Sequence, residues 1–279
     1  MTSLFEFDEV CYQYRKDRLP ALNGLSFQIP VGARTAIIGP NGAGKSTLIF
    51  HMNGLYGCGS GKVSYLGEEL TKERRRQMPG RVGVVFQDPD DQLIALTVAE
   101  DIAFGPQQQG LQNEEVQARV QASIDLLGIA DLADLNPAEL SFGQKKQAAV
   151  AGVLAMHTDV VIFDEPMAFL DPAGKRRMRE IMELLGERGQ TVIVATHDMQ
   201  FVAEWAEHVV VMADGQCLAA MTPQQLFTQH SGLMEAANLE LPTVAEVFTG
   251  LWKDEATLPI RVSDARARLE QLIAAGWIR

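Results

Sequence analysis

No stretch of the 279 residues offers the roughly 18 to 20 uncharged apolar positions that a bilayer-crossing helix needs. Nor does Met1 to Asp8 carry a basic segment leading into an apolar one, so no secretory signal is expected. Cysteine is scarce: Cys11, Cys58 and Cys217 are odd in number, scattered, and without metal-ligand spacing. They read as free thiols in a reducing cytoplasm. Basic charge is in deficit, with 24 Lys and Arg against 36 Asp and Glu, a net charge of -12. That balance excludes general nucleic-acid binding, which needs basic patches to neutralise phosphates. Internal repeats and low-complexity tracts are missing too. What remains is ordinary globular material, 47% hydrophobic and 22% charged. Its length allows one large domain, or one domain with a small appendage.

Apolar residues alternate through Leu4 to Val10 and through Leu25 to Ile29, the pattern of half-buried strands. Near-continuous apolar runs at Thr35 to Ile38, Val82 to Phe86, Val160 to Phe163 and Thr191 to Ala195 predict the buried strands of a parallel sheet. Helical spacing covers Asn113 to Leu127 and Ala173 to Leu185, and residues 97–137 read as mainly helical. Asp214-Gly215 is a hairpin-like turn, and from Pro223 onward short helices are expected, including Val262 to Ala275.

The run Gly39-Pro40-Asn41-Gly42-Ala43-Gly44-Lys45-Ser46 follows one of these strands directly. Its glycines let backbone N–H groups turn inward around phosphate oxygens, and the next helix adds the positive end of its dipole. Lys45 should reach the β- and γ-phosphates, Ser46 should ligate Mg2+, and Thr47 should help on the α-phosphate side. A chance glycine-rich turn would not match every fixed position behind a strand. Asp164 ends another apolar strand, a place beside the magnesium, and Glu165 next to it could polarise the attacking water. Without the glycine loop this pair would read as an ordinary strand-end cap. Gln87 follows a buried strand and can ligate magnesium or hold the water. His197 lies just past the last core strand, where ligands of open α/β sheets bind, and reads as a γ-phosphate sensor. Alone, neither would carry a signal.

The order and spacing of these residues resemble the ATP-binding cassette family from about Leu4 to Ala220. Tyr14 matches the aromatic that stacks on adenine, with Tyr12 as a competitor two residues away. Gly39 to Thr47 match the Walker A loop, Gln87 the Q-loop, Asp164 and Glu165 the Walker B pair, and His197 the switch histidine. Leu140-Ser141-Phe142-Gly143-Gln144 is similar to the family's signature, and Phe169-Leu170-Asp171 to its D-loop. The resemblance implies an α/β P-loop ATPase core of about residues 1–222. Within it lie a mixed sheet, parallel at its centre with antiparallel N-terminal strands, and a helical signature subdomain near 97–157. Residues 223–279 form a small helical appendage. It further implies that Ser141, Gly143, Gln144 and Asp171 serve ATP held by a second ATPase subunit, either a second copy or a similar chain.

Softer patterns resemble the ATPases of energy-coupling-factor and cobalt/nickel importers: Phe86 to Leu93, Asp101 to Pro106, Lys145-Lys146-Gln147, Ala151 to Met156, and Leu241 to Phe248. They imply an ATP-hydrolysing subunit on the cytoplasmic face of the cell membrane. Its further partners would be a transmembrane coupling subunit, docked near Gln87 to Leu93, and a substrate-specific membrane subunit. With no His/Cys cluster suited to those metals, selectivity would reside in the membrane subunits. Rival readings are a soluble cassette acting on ribosomes or DNA repair, and a regulatory module with slow hydrolysis. The second is motivated by Phe142 and Phe169, which stand where the family carries glycine. Either both rings face outward at a dimer or subdomain surface, or together they alter closure of the dimer across its interface. In the appendage, Ala245, Val247, Phe248 and Leu251 could form one apolar helix face, and Leu269, Leu272 and Ile273 another. Those helices would cover the core or strengthen pairing of two chains.

Overall fold

A computed structural model describes residues 2–15, 19–249 and 258–274. The chain opens with β1 (Ser3–Tyr12), β2 (Leu22–Pro30), β3 (Thr35–Ile38) and α1 (Lys45–Met52). Next come β4 (Ser60–Tyr65), β5 (Glu68–Glu69), α2 (Lys72–Arg75) and β6 (Val82–Val85). The helices α3 (Val98–Gln108), α4 (Asn113–Leu127) and α5 (Phe142–Ala155) precede β7 (Val160–Asp164), α6 (Pro172–Glu187), β8 (Thr191–Thr196) and α7 (Met199–Trp205). After the hairpin β9 (His208–Ala213) and β10 (Gln216–Met221) come α8 (Pro223–Gln229), α9 (Ser231–Ala236), α10 (Thr243–Phe248) and α11 (Val262–Ala274).

The larger sheet runs β10-β9-β3-β8-β7-β6, parallel except for β10. Every residue of β3 and β8 is buried, which is why these strands read as unbroken apolar runs. Side chains alternate between two cores. Ile37, Ile162, Ile193 and Val210 face α1 and the N-terminal strands, packing with Leu48, Phe5 and Leu25. Val161, Phe163, Val194 and Val211 face the helices, packing with Ile102, Val150, Ile181 and Phe201. The N-terminal strands do not join this sheet. They form a second, antiparallel one in the order β2-β1-β4-β5, so the expected mixed sheet is two sheets packed face to face.

Helix boundaries follow from local chemistry. Thr97 and Glu100 close a capping box at the start of α3, and Ser141 and Gln144 close one at the start of α5. Such a cap contributes about 1 kcal/mol. Asp171 caps α6, with Pro172 in its first turn, so this helix begins one residue ahead of the expected start and ends two beyond the expected end. It buries Met178, Ile181, Met182 and Leu185, one stripe at helical spacing.

The C-terminal helices lie against α7. Arg261 Nε donates to the Ala203 carbonyl at 3.0 Å, the Val262 amide to Glu204 Oε1 at 2.9 Å, and Gln224 Nε2 to the Leu258 carbonyl at 2.9 Å. Leu258, Ile260 and Ala245 are buried in the core that holds Phe201 and Trp205. The expected apolar faces are corrected in part, since Ala245 and Phe248 do pack against the core. Val247, Leu269 and Ile273 are exposed, because α10 turns Ala245 inward and α11 turns Ala265 inward. Leu251 and Ala275 lie outside the described residues.

Candidate active site

The loop between β3 and α1 has the strained backbone that the glycine spacing demands. Gly42 and Gly44 stand at φ 84° and 98°, conformations L side chains rarely adopt. A Cβ on Gly44 would come within 2.6 Å of the Ala21 carbonyl oxygen, and one on Gly39 within 2.3 Å of that of Met212. Ala43 is buried behind the loop. Lys45 curls back over it, its ammonium donating to the Gly39 and Pro40 carbonyls at 2.7 and 3.1 Å. Burial lowers the Lys45 pKa, and Glu165 and Asp164 oppose that shift.

A cleft of about 300 Å³ opens over this loop. Asn41, Gly42, Gly44, Lys45, Ser46 and Thr47 line one side, and Tyr14, Gln87, Asp164 and Glu165 the other. Tyr14, rather than Tyr12, reaches the cleft, where its hydroxyl pairs with that of Thr47 at 2.9 Å. Tyr12 stacks instead on Tyr56, with ring centroids 5.1 Å apart, and meets His51 edge-on.

Ser46 Oγ donates to Asp164 Oδ2 at 3.0 Å. The Asp164 pKa is raised, by burial first and, despite the Ser46 bond, by the neighbouring Glu165 charge as well. A hydroxyl, a desolvated carboxylate and the Gln87 amide are oxygen donors of the kind a magnesium ion takes, and a cation would relieve the crowded negative charge. The residues therefore fit Mg2+.

Glu165 is 8% exposed and sits at φ 46°, a strained backbone for a residue with a side chain, costing on the order of 1–3 kcal/mol. Its carboxylate accepts from Thr196 Oγ1 at 3.1 Å and from His197 Nδ1 at 2.7 Å. The backbone N–H of Glu165 donates to the Ala195 carbonyl at 2.8 Å. His197 stands at the rim, its side chain 67% exposed, with one ring nitrogen on Glu165.

The signature residues lie elsewhere. Ser141, Gly143 and Gln144 form the first turn of α5 and do not line the cleft. Asp171 Oδ1 accepts from the Gly174 N–H at 2.7 Å, so within this chain it works as a helix cap. Phe142 and Phe169 meet edge to face, with centroids 5.6 Å apart, inside one chain. The two rings therefore pack on each other between α5 and the loop after β7. Phe169 is 79% exposed at φ 61°, a backbone that favours glycine.

Two residues of the site had no role assigned from the sequence, although Lys146 belongs to one of the softer patterns. Thr196, one place before His197 at a strand end, anchors Glu165. Lys146 is buried beneath the loop after β7, and its signal is positional: it shares one helix face with Val150 and Val153, where lysine does not belong. A larger depression of about 350 Å³ lies between α4, α5 and the turn before β8, away from all of these groups.

A glycine loop opening a helix on a parallel sheet, facing an acidic pair at the end of β7, two strands away from β3, defines a nucleotide-hydrolysing P-loop protein. The chain matches the ABC transporter family over residues 22–168. It is 41% identical over 273 residues to the energy-coupling factor transporter ATP-binding protein EcfA of Carboxydothermus hydrogenoformans, covering 98% of this chain and 100% of that one. Among solved structures it is similar to cbiO1 from Clostridium perfringens, described as part of the ABC transporter complex cbiONQ. That match has a TM-score of 0.72 and 36% identity, over 89% of this chain and 100% of the other. A dimeric bacterial ABC transporter cassette superposes with a TM-score of 0.70 at 25% identity, over 78% of this chain and 98% of its own. The chain belongs to the ABC transporter family and is an ATPase of that family, taking ATP with Mg2+.

Proposed function

We propose that this chain is the ATP-hydrolysing, energy-coupling subunit of an importer of the energy-coupling-factor type, with cobalt or nickel as cargo. The observation that carries the reading is a division of labour. Every group needed to hold and attack a nucleotide triphosphate shares one cleft, while the helix N-terminus suited to a γ-phosphate stands outside it. One chain holds half of each site, so two chains facing each other complete two sites, with ATP between them.

In each site Tyr14 stacks on the base, and the backbone N–H groups from Gly39 to Gly44 cradle the phosphates. Lys45 turns from its loop carbonyls to the β- and γ-oxygens. Ser46, Asp164 and Gln87 would hold Mg2+, which would supply charge neutralisation to the phosphates when bound. Glu165, held by Thr196 and His197, orients and polarises the attacking water. Ser141, Gly143 and Gln144 of the facing chain, with the N-terminus of its α5, would bind the γ-phosphate, and its Asp171 would approach the same site.

The partners in this reading are a second ATPase subunit, a transmembrane coupling subunit and a substrate-specific membrane subunit, which place the chain on the cytoplasmic face of the membrane. Residues 1–222 form the ATPase domain, with its signature subdomain at about 97–157, and residues 223–279 the appendage. The segment Gln87 to Leu93, next to exposed Ile94 and Leu96, suits a coupling helix. Affinity purification from detergent-solubilised membranes tests the assignment. The expected result is co-purification of an integral membrane protein together with cobalt or nickel uptake that needs ATP. Recovery of the chain with ribosomes or DNA-repair factors instead would overturn it.

A further inference from the structure

Lys146 is the one charged side chain in the fully buried part of α5, 1% exposed in a helix otherwise lined by Ala148, Ala149, Val150 and Val153. Its ammonium does not reach a carboxylate. It donates to three backbone carbonyls of the loop after β7: Glu165 at 3.1 Å, Pro166 at 2.9 Å and Ala168 at 3.4 Å. The Phe142 ring, one turn earlier on the same helix, lies 5.4 Å from this ammonium and meets Phe169, the next residue of the loop, edge to face. The helix thus grips residues 165–169 through a cation and through a ring.

The grip falls where the loop most needs it. Glu165 and Phe169 both stand in the left-handed region, at φ 46° and 61°. Such conformations persist only where the surroundings over-determine them. Ala195, Thr196 and His197 hold Glu165 from β8 and the turn after it. From the opposite side, of the hydrogen bonds reaching this loop from α5, those of Lys146 are the ones that act on its backbone. Desolvation pushes the ammonium down to about 8, against the pull of Glu165, Asp164 and Asp88, a cost that the carbonyl bonds offset.

We infer that Lys146 is a positioning residue for hydrolysis: by clamping the carbonyls of Glu165, Pro166 and Ala168 it fixes the backbone from which the Glu165 carboxylate meets the attacking water. It does so from the first turns of the helix whose N-terminus is offered to the facing chain, so the signature of one site is tied to the general base of the other. The inference rests on the hydrolytic reading of the cleft. Nucleotide binding is untouched by it, because none of the phosphate-binding groups contacts Lys146.

The test is steady-state ATP hydrolysis by the full-length chain, beside fluorescent-nucleotide binding and thermal melting. Lys146→Met keeps the volume and removes all donors. Its kcat is expected to fall about 10- to 100-fold, the scale of a displaced general base, with KM and nucleotide Kd unchanged within about twofold. Lys146→Gln restores two donors on a shorter arm, and its kcat should lie between the Met variant and the wild type. Equal turnover of the Met variant and the wild type overturns the inference, and so does a loss confined to KM. Should the Met variant not fold, Gln decides alone: reduced kcat at unchanged Kd supports the clamp, and wild-type kcat overturns it. A wild-type chain that binds ATP and never hydrolyses it, alone or with its membrane partners, would instead sink the hydrolytic reading itself.

Discussion

At the scale of single residues, the decisive group is Glu165. It is the only carboxylate in the cleft bound to both a strand-end hydroxyl and an imidazole, while its neighbour Asp164 is tied to the Ser46 hydroxyl. In the proposed mechanism these two adjacent acids would have different work, one at the metal and one at the water. Glu165→Gln keeps the shape and the Thr196 bond but removes the base. Hydrolysis is expected to drop by about 10²- to 10⁴-fold, with ATP still bound, by steady-state phosphate release and nucleotide titration. Loss of ATP binding in this variant would mean the carboxylate holds the cation rather than the water. Most of the residues lining the cleft were legible from spacing, because the backbone geometry of a phosphate loop admits few residue types. Lys146 was not, since its partners are carbonyls about 20 positions away, which carry no side-chain signature in the sequence.

Elements show the same pattern. The central strands and α4 stood out because burial on both sheet faces, or on one helix stripe, leaves a periodic apolar record. β4 did not, since it begins with exposed Ser60, Gly61 and Lys62 and only its second half is buried. Nor could periodicity tell that the N-terminal strands form a sheet of their own, because pairing partners are set by tertiary packing. The contact between α5 and the loop before α6 belongs to this scale as well. Phe142 and Phe169 pair within one chain, which neither blocks the cleft nor leaves both rings idle. Phe169→Gly relaxes a left-handed backbone, whereas Phe142→Gly places glycine in the first turn of a helix. The expected outcomes differ in sign: a melting temperature unchanged or raised for Phe169→Gly and lowered for Phe142→Gly, by differential scanning calorimetry. Equal losses in both would show that the ring pair outweighs the backbone.

For the whole molecule, the appendage and the pairing of chains matter most. Ile260 is buried with Phe201 and Trp205 although it lies far beyond the ATPase motifs, so the segment leading into α11 is part of the core's cover. Ile260→Ala should cost about 2–5 kcal/mol, read from chemical denaturation, the range for removing a buried aliphatic chain. A change below about 0.5 kcal/mol would show the appendage to be loosely held. The apolar residues it leaves exposed, Val247, Leu269 and Ile273, do not contribute to this cover.

The placement of the signature turn outside the cleft lining makes the central claim one about two chains. Mixing two inactive variants measures it directly. Lys45→Ala removes the phosphate ligand of its own cleft, and Ser141→Arg blocks the signature offered to the facing chain. Each alone should be unable to hydrolyse ATP, while an equimolar mixture should recover turnover, because one composite site in each mixed pair is intact. A mixture as inactive as its components, or Ser141→Arg hydrolysing at the wild-type rate alone, would contradict the account.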